Sequence, residues 1–397
     1  SARPVVRLKP KANARAIRHG FPWAYDNELV TDRRTKGLVP GTLAVLEDDK
    51  RQPLGLVATN SQSKIFCRML DRDPEAVIDQ EWFAARISQS LAMRTQLYDA
   101  PFYRLVHAEA DGLPGVVIDR FGEACVVQPN AAWAEAHLEA LTAALAEVTG
   151  CDVILKNASG RTRGLEGLDD ESLTLLGETP TAPVPVVMNG ATYMADLTGG
   201  QKTGLFYDQR ENHAFAARLV PQGGDVLDVF SHVGGFGLAM RAAGAGAVTC
   251  VDGSSAALDL AGQGAQASGF GDSFMARQGD AFEQLAALAE EGRSFDVVIC
   301  DPPAFAPSKQ ALEAGLRAYE WIAKLASPLV KPGGYLGLCS CSHAADLTRF
   351  RNASARGIGR AGRRGQLIHT GYAGADHPQL PQLAESGYLK SVFFRLD

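Results

Sequence analysis

The sequence has no CxxC pair and no even set of cysteines. Seven of them, at positions 67, 125, 151, 250, 300, 339 and 341, are scattered over 397 residues. Such spacing argues against a disulfide framework and against a zinc site, so no metal is expected and the reduced thiols of a cytoplasmic protein fit best. No run reaches the roughly eighteen apolar residues of a membrane span. The opening residues lack a charged stretch followed by an apolar core, and no secretory leader is expected. The glycine-rich turn after the first strand of the alternating region is not GxGxxG, and no phosphate-cradling lysine motif is present, which disfavours a dinucleotide oxidoreductase. A net charge of −6 speaks against a general nucleic-acid binder.

What is present is an ordinary globular composition, 46% hydrophobic and 21% charged, in a chain long enough for two or three domains. The charge is uneven. Residues 1–72 hold fourteen Lys/Arg against seven Asp/Glu, a net of +7, and residues 73–397 carry −13. A basic module on an acidic body suggests a polyanion such as RNA, read by one part of the chain; a solvated basic surface is the plainer alternative.

The first segment clusters β-formers between Gly, Pro, Asn and Asp, as in RPVVRLKP, GTLAVLEDDK, PLGLVATN and KIFCRML, and a small β-barrel ending near Arg72 is expected. Residues 73–185 read as a compact α+β region: the helix EWFAARISQSLAMRTQLY, then strands and turns, then the helix AEAHLEALTAALAEV. GETPTAPVPVVMNG, with three prolines, marks a junction. From residue 186 to 397 strands and helices alternate: DVLDVF, AVTCVD, DSFMARQGD, FDVVICDPP and GYLGLCSCS each precede a helical or polar stretch. That pattern predicts a parallel α/β sheet with its ligand at the carboxyl ends of the strands.

The strand ends carry the candidate cofactor site. DVFSHVGGFG opens a helix with glycines at 234, 235 and 237, which allow backbone to pass close to a ligand; a tight turn without ligand is the alternative. Asp252 ends the second strand, where a carboxylate can accept from ribose hydroxyls. Asp280 ends the third, within reach of an adenine amine, and Asp301 follows the fourth in CDPPAF. Together these suit an adenosyl ligand without a pyrophosphate, and S-adenosylmethionine is the expected cofactor. Asp228, Phe230, Ser231 and Ala281, beside these positions, complete the candidate set with Gly234, Gly235, Asp252, Asp280 and Asp301.

CDPPAF resembles the Asn/Asp-Pro-Pro-aromatic motif of nucleic-acid methyltransferases. Pro302 and Pro303 stiffen the loop. Asp301 can exchange a proton or hydrogen bond with a base, and Phe305 offers a face on which a flipped base stacks. A rigid loop after a buried strand is the plainer reading, though it leaves the Asp-Pro-Pro order unexplained.

Over its whole length the chain resembles the bacterial large-subunit (23S) ribosomal RNA cytosine-C5 methyltransferases that carry an N-terminal PUA domain. The resemblance rests on HAEADGLPGVVIDRFG (107–122), GGQKTGLFYDQREN (199–212), DVFSHVGGFG (228–237), CDPPAF (300–305), CSCS (339–342) and DHPQL…SGYLKSVFFRL (376–396). It implies a PUA-like RNA-binding barrel, a small α+β domain and a Rossmann-like class I methyltransferase domain. It also implies that Thr203, Phe206 and Gln209 enclose the methionine end of the cofactor, and that large-subunit ribosomal RNA is the partner, with no membrane. A homodimer is left open.

LGLCSCSH (336–343) then poses a choice between two thiols. C5 of cytosine is a poor nucleophile, and thiolate attack at C6 makes an enamine-like adduct whose C5 can take a methyl group. Alternation along a strand puts Cys339 and Cys341 on one face, with Cys341 nearer the ligand end. The family's SCS motif aligns its catalytic cysteine with Cys341; Cys339 and Cys300 read as core. Where the family usually has a lysine or similar polar residue and a glycine, this chain has Ala304 and His343. His343 is either a proton-transfer aid to the thiol or a solvent-facing helix start.

The stretch RFRNASARGIGRAGRRGQ (349–366) has six arginines and no acid, suited either to phosphate contact by a flexible surface or to an ordinary solvated helix. Two further functions remain in play: methylation of an exocyclic amine of guanine or adenine, which needs no cysteine, and a non-catalytic RNA-binding ribosome assembly factor.

Overall fold

The computed structural model describes residues 2–199, 205–383 and 387–397. The described residues fall into two compact units, one of residues 2–181 and 376–383, the other of residues 182–199, 205–375 and 387–397.

In the first unit β1 (Val5–Arg7), β2 (Trp23–Tyr25), β3 (Leu43–Glu47), β4 (Pro53–Thr59) and β5 (Ile65–Asp71) lie in the order β1-β3-β4-β5-β2. Past the end of β2 the chain returns to β1: Leu8 and Leu29 form an antiparallel bridge, and Val30 N–H donates to Arg7 O at 2.9 Å. The two edges thereby meet, and the sheet closes without an exposed ladder. Val6, Leu8, Ala44, Leu46, Val57 and Phe66, alternating along these strands, fill the interior.

The same unit holds a second sheet of β6 (Phe102–His107), β7 (Val116–Phe121), β8 (Ala124–Pro129), β9 (Val153–Lys156) and β10 (Leu173–Leu176), in the order β10-β9-β8-β7-β6. Helices Gln80–Leu97 and Leu138–Thr149 accompany it, and the Phe83 and Trp133 rings stack at 5.7 Å in their core. HAEADGLPGVVIDRFG runs from the end of β6 through the β6–β7 connection and β7. Gly112 and Gly115 hold φ of 75° and 74° there, and a Cβ on Gly115 would lie 2.6 Å from that of Ala131.

Polar residues of this stretch turn inward. Arg94, wholly buried, donates through both Nη atoms to the Asp111 carboxylate (2.9 and 2.7 Å) and to the carbonyl of Asp376 (3.0 Å). Asp376 in turn accepts from Arg104 N–H (2.9 Å), and its Oδ1 stands 2.9 Å from His377 Nδ1. The DHPQL segment is thus part of this buried network. A buried charge needs such pairing to offset lost hydration.

The second unit begins with the hairpin β11 (Val184–Met188) and β12 (Ala191–Ala195). Its main sheet comprises β13 (Asp225–Val229), β14 (Ala247–Asp252), β15 (Phe274–Gln278), β16 (Phe295–Cys300), β17 (Val330–Ser340), β18 (Gly365–Tyr372) and β19 (Lys390–Leu396), ordered β15-β14-β13-β16-β17-β19-β18. The first five run parallel; β19 is antiparallel to both β17 and β18. Strand order reverses between β13 and β16, where an open parallel sheet leaves a crevice. Helices Gly235–Ala242, Ser255–Ala267, Ala281–Glu290 and Leu312–Ala326 are the crossovers.

The arginine-rich stretch is helical over Leu347–Arg360, capped by Asp346. Arg356 and Arg360 both pair with Glu320 at 2.8 Å, and Arg363 donates to the carbonyls of Ser327 and Val330. Among the described residues, no helix is long and apolar enough to cross a membrane, and no group of three His, Cys, Asp or Glu side chains is placed to hold a metal.

Candidate active site

The turn after β13 is under conformational constraint. Phe230 and His232 sit in the left-handed region, at φ 59° and 50°, a conformation that non-glycine residues adopt at some cost and that collects at functional sites. Gly234 (φ 87°) leads into the helix Gly235–Ala242. The glycines at 235 and 237 answer to packing. A Cβ at 235 would lie 2.5 Å from the His213 ring, and one at 237 would lie 2.8 Å from Val248 on β14. Ser231, buried, donates its N–H to Val251 O.

Three carboxylates converge on this turn. Asp228 is buried, and its Oδ2 accepts from Gly237 N–H at 2.8 Å, while its Oδ1 has no hydrogen-bond partner among the described residues. Burial pushes its carboxyl well above the ordinary value, and the like charges of Asp301 and Asp252 add to the push. Asp252, half-buried at the end of β14, accepts from His232 N–H (2.9 Å) and Ser254 N–H (2.8 Å), one bond per oxygen. Asp301 follows β16, its N–H donating to Val229 O. Asp280 lies further along the sheet edge. It is exposed, and its Oδ1 caps the helix Ala281–Glu290 through Glu283 N–H (3.1 Å); Ala281 is buried.

Phe206 packs edge-on against His232, ring centroids 4.9 Å apart. Gln209 is buried, its Oε1 accepting from Asn212 Nδ2 at 2.8 Å. Thr203 lies outside the described residues.

The CDPPAF and CSCS loops are joined by hydroxyl groups. Tyr319 OH accepts from Phe305 N–H (3.3 Å) and from Ser340 Oγ (2.9 Å). With both lone pairs engaged, its proton points to Ser342 Oγ at 2.5 Å. Ser342 Oγ also accepts from Ala306 N–H at 3.0 Å. Pro302 is buried, Pro303 and Ala304 are exposed, and the half-buried Phe305 ring contacts Phe230, Phe282 and Tyr319 at 6.3, 6.1 and 5.0 Å.

The two thiols separate cleanly. Cys339 is 1% exposed on β17, accepts from Ser391 Oγ at 3.2 Å, and has its thiol pushed well above the ordinary value by burial. Cys300 is fully buried and shifted the same way. β17 ends at Ser340, so Cys341 leaves the strand; it is half-buried, whereas the other six cysteines are buried. His343 is exposed, its ring 5.9 Å from Tyr388.

The PUA-like domain family matches residues 6–72, and the S-adenosylmethionine-dependent methyltransferase family matches residues 106–395. The chain belongs to the S-adenosylmethionine-dependent methyltransferase family. Among relatives of this methyltransferase, a Shewanella denitrificans protein named ribosomal RNA large subunit methyltransferase I is 35% identical, covering 98% of this chain and 99% of that one. An Aeromonas salmonicida protein of the same name is 33% identical, over 97% and 98%. A solved structure from Streptococcus mutans, described as a SAM-dependent methyltransferase, superposes with a TM-score of 0.80 at 18% identity, covering 99% of this chain and 100% of that one. At that identity the likeness speaks for the fold alone. The methyltransferase uses S-adenosylmethionine, which supplies an electrophilic methyl group.

The residues missed by sequence reasoning include Tyr319, Ser342, His213 and Lys390. Ser342 closes CSCS and Lys390 lies within SGYLKSVFFRL, whereas Tyr319 and His213 lie in neither stretch.

Replacing Tyr319 with Phe removes the acceptor of Phe305 N–H and Ser340 Oγ. We expect Tyr319→Phe to lower stability by about 1–3 kcal/mol and to slow methyl transfer while S-adenosylmethionine affinity holds. Urea unfolding, calorimetry and single-turnover methylation check the three parts.

Proposed function

We propose that this methyltransferase acts on RNA and forms 5-methylcytosine in large-subunit ribosomal RNA through an adduct between Cys341 and C6 of the base. The observation that carries the reading is the position of Cys341: the least buried of the seven thiols, it stands just past the carboxyl end of β17 on the loop tied through Ser342 and Tyr319 to Asp-Pro-Pro. The names of the full-length relatives support the ribosomal substrate, and the basic barrel, net +7 over residues 1–72, supports RNA binding by that module. Residues 73–185 would then be a central α+β domain and residues 186–397 the catalytic one.

S-adenosylmethionine carries a sulfonium and an ammonium, and the acidic strand ends suit both. Asp228 offers a buried oxygen without a partner among the described residues; Asp252 retains one lone pair on each oxygen after its two backbone bonds. We assign Asp252 to the ribose hydroxyls and Asp228, Phe230, Ser231, Gly234 and Gly235 to the cradle. Phe206 and Gln209 cover the methionine end, and Asp280 with Ala281 flanks the adenine. The Cys341 thiolate adds to C6, and the electron pair of the C5–C6 double bond takes the methyl group, leaving a neutral thioether. Loss of the C5 proton and expulsion of the thiolate restore the ring. Asp301 exchanges a proton or hydrogen bond with the base, and Pro302, Pro303 and Phe305 shape the rim where it sits.

Asp252→Ala should weaken S-adenosylmethionine binding by about 1–3 kcal/mol, read by calorimetry. Unchanged affinity would move the ribose contact elsewhere.

RNA carrying 5-fluorocytidine at the target should become trapped, because fluorine at C5 cannot leave as a proton. The complex should survive denaturing electrophoresis when cofactor is present. Cys341→Ala should form none and lose activity, whereas Cys339→Ala should still trap RNA. An active Cys341→Ala enzyme would sink the covalent route and favour methylation of an exocyclic amine.

A further inference from the structure

Lys390 opens β19 and is paired in the ladder with Ser340, the residue before Cys341. Its side chain does not reach solvent. At 6% exposure it turns inward, and Nζ donates to the carbonyl oxygens of Ser342 (2.7 Å) and Ala345 (2.5 Å). Those two carbonyls bracket the turn that carries the chain from Cys341 to the helix Leu347–Arg360. A buried ammonium loses hydration that hydrogen bonds or a nearby opposite charge must offset. No carboxylate lies within ion-pair distance of Lys390 among the described residues, and the groups its ammonium bonds are neutral carbonyls. Cys341, next to Ser342 in the chain, and Asp346, next to Ala345, favour its charged form.

We propose that Lys390 is a positioning residue for Cys341: its ammonium pins the turn that holds the sulfur and supplies the fixed positive charge beside which the thiolate forms. The inference rests on the reading of Cys341 as the nucleophile. A cation held close favours the ionised thiol, and only the thiolate adds to C6. The same charge stays in place when the thiolate is expelled, which makes the sulfur a better leaving group. Burial pulls the Lys390 ammonium down from its ordinary value, while Cys341 and Asp346 push it back up, so the lysine and the thiol stabilise each other's charged forms.

Among the described residues, Tyr319, Asp346, Asp301 and His343 do not supply that charge. Tyr319, from the helix Leu312–Ala326, is held in its neutral form chiefly by burial, and Cys341 adds to that shift. Asp346 and Asp301 are acidic. His343, on the same turn as Cys341, is exposed, with its ring against Tyr388. Lys390 is the buried cation of the set.

The test is the pH dependence of iodoacetamide alkylation of the full-length protein, followed at Cys341 alone by peptide mass spectrometry. In the wild type, the Cys341 midpoint should fall below the ordinary thiol value of about 8.5. Lys390→Met should raise it by about one unit or more, and Lys390→Arg, which keeps the charge, should restore part of the difference. His343→Gln should leave it in place. A wild-type midpoint at or above the ordinary value overturns the proposal without any variant. So does an unmoved midpoint in folded Lys390→Met, or a shift produced by His343→Gln instead. The readout needs neither RNA nor methyl transfer. A successful 5-fluorocytidine trap with an unmoved midpoint therefore removes Lys390 alone, whereas a Lys390-dependent midpoint with no trap removes the role of Cys341 toward RNA.

Discussion

One buried hydroxyl holds the two reactive loops in register. Tyr319 OH accepts from the backbone of the Asp-Pro-Pro loop and from Ser340, and its proton reaches Ser342. Loops after strand ends have few backbone partners of their own, so their positions depend on side chains that reach them. A phenol suits this place because its ring is anchored in the core, within 5.0 and 5.1 Å of Phe305 and Phe350, while its oxygen makes three bonds. Asp301 and Cys341 then stand at fixed places on adjacent strand ends.

Charge is distributed around that joint with opposite signs. On the glycine-turn side Asp228, Asp252 and Asp301 crowd together; burial raises the Asp228 carboxyl and the neighbouring charges add to the shift. A cationic cofactor relieves the repulsion. On the other side the buried Lys390 ammonium sits under the turn that follows Cys341. This is the arrangement that the proposed chemistry requires, a positively charged methyl donor at one rim and an anionic sulfur at the other.

Much of this was legible along the chain. The alternation of strands with helices predicts the parallel sheet, and its strand ends bring Asp228, Asp252 and Asp301 together, whereas Asp280 stands further along the edge as a helix cap. Other features depend on pairing that spacing does not reveal. Alternation put Cys339 and Cys341 on one face, but the ladder stops at the Ser340–Lys390 pair, so only Cys339 remains in the strand. Tyr319 meets Ser342 across 23 residues, and Arg94 meets Asp376 across 282. The glycines at 235 and 237 were read as room for a ligand, yet His213 and Val248 already require them. The arginine-rich stretch took its helical alternative: Phe350, Ala353 and Ile358 bury one face of the helix in the core, and Glu320, on another helix, collects two of its guanidinium groups.

The central claim is that the methyl group is placed on C5 of cytosine in ribosomal RNA. It is tested most directly by incubating the purified protein with S-adenosylmethionine labelled in its methyl group and with total RNA lacking the modification, then digesting to nucleosides. The label should appear in 5-methylcytidine, and fractionation should trace it to large-subunit RNA. Label in a guanosine or adenosine methylated on its exocyclic amine, or in no nucleoside at all, would contradict the account.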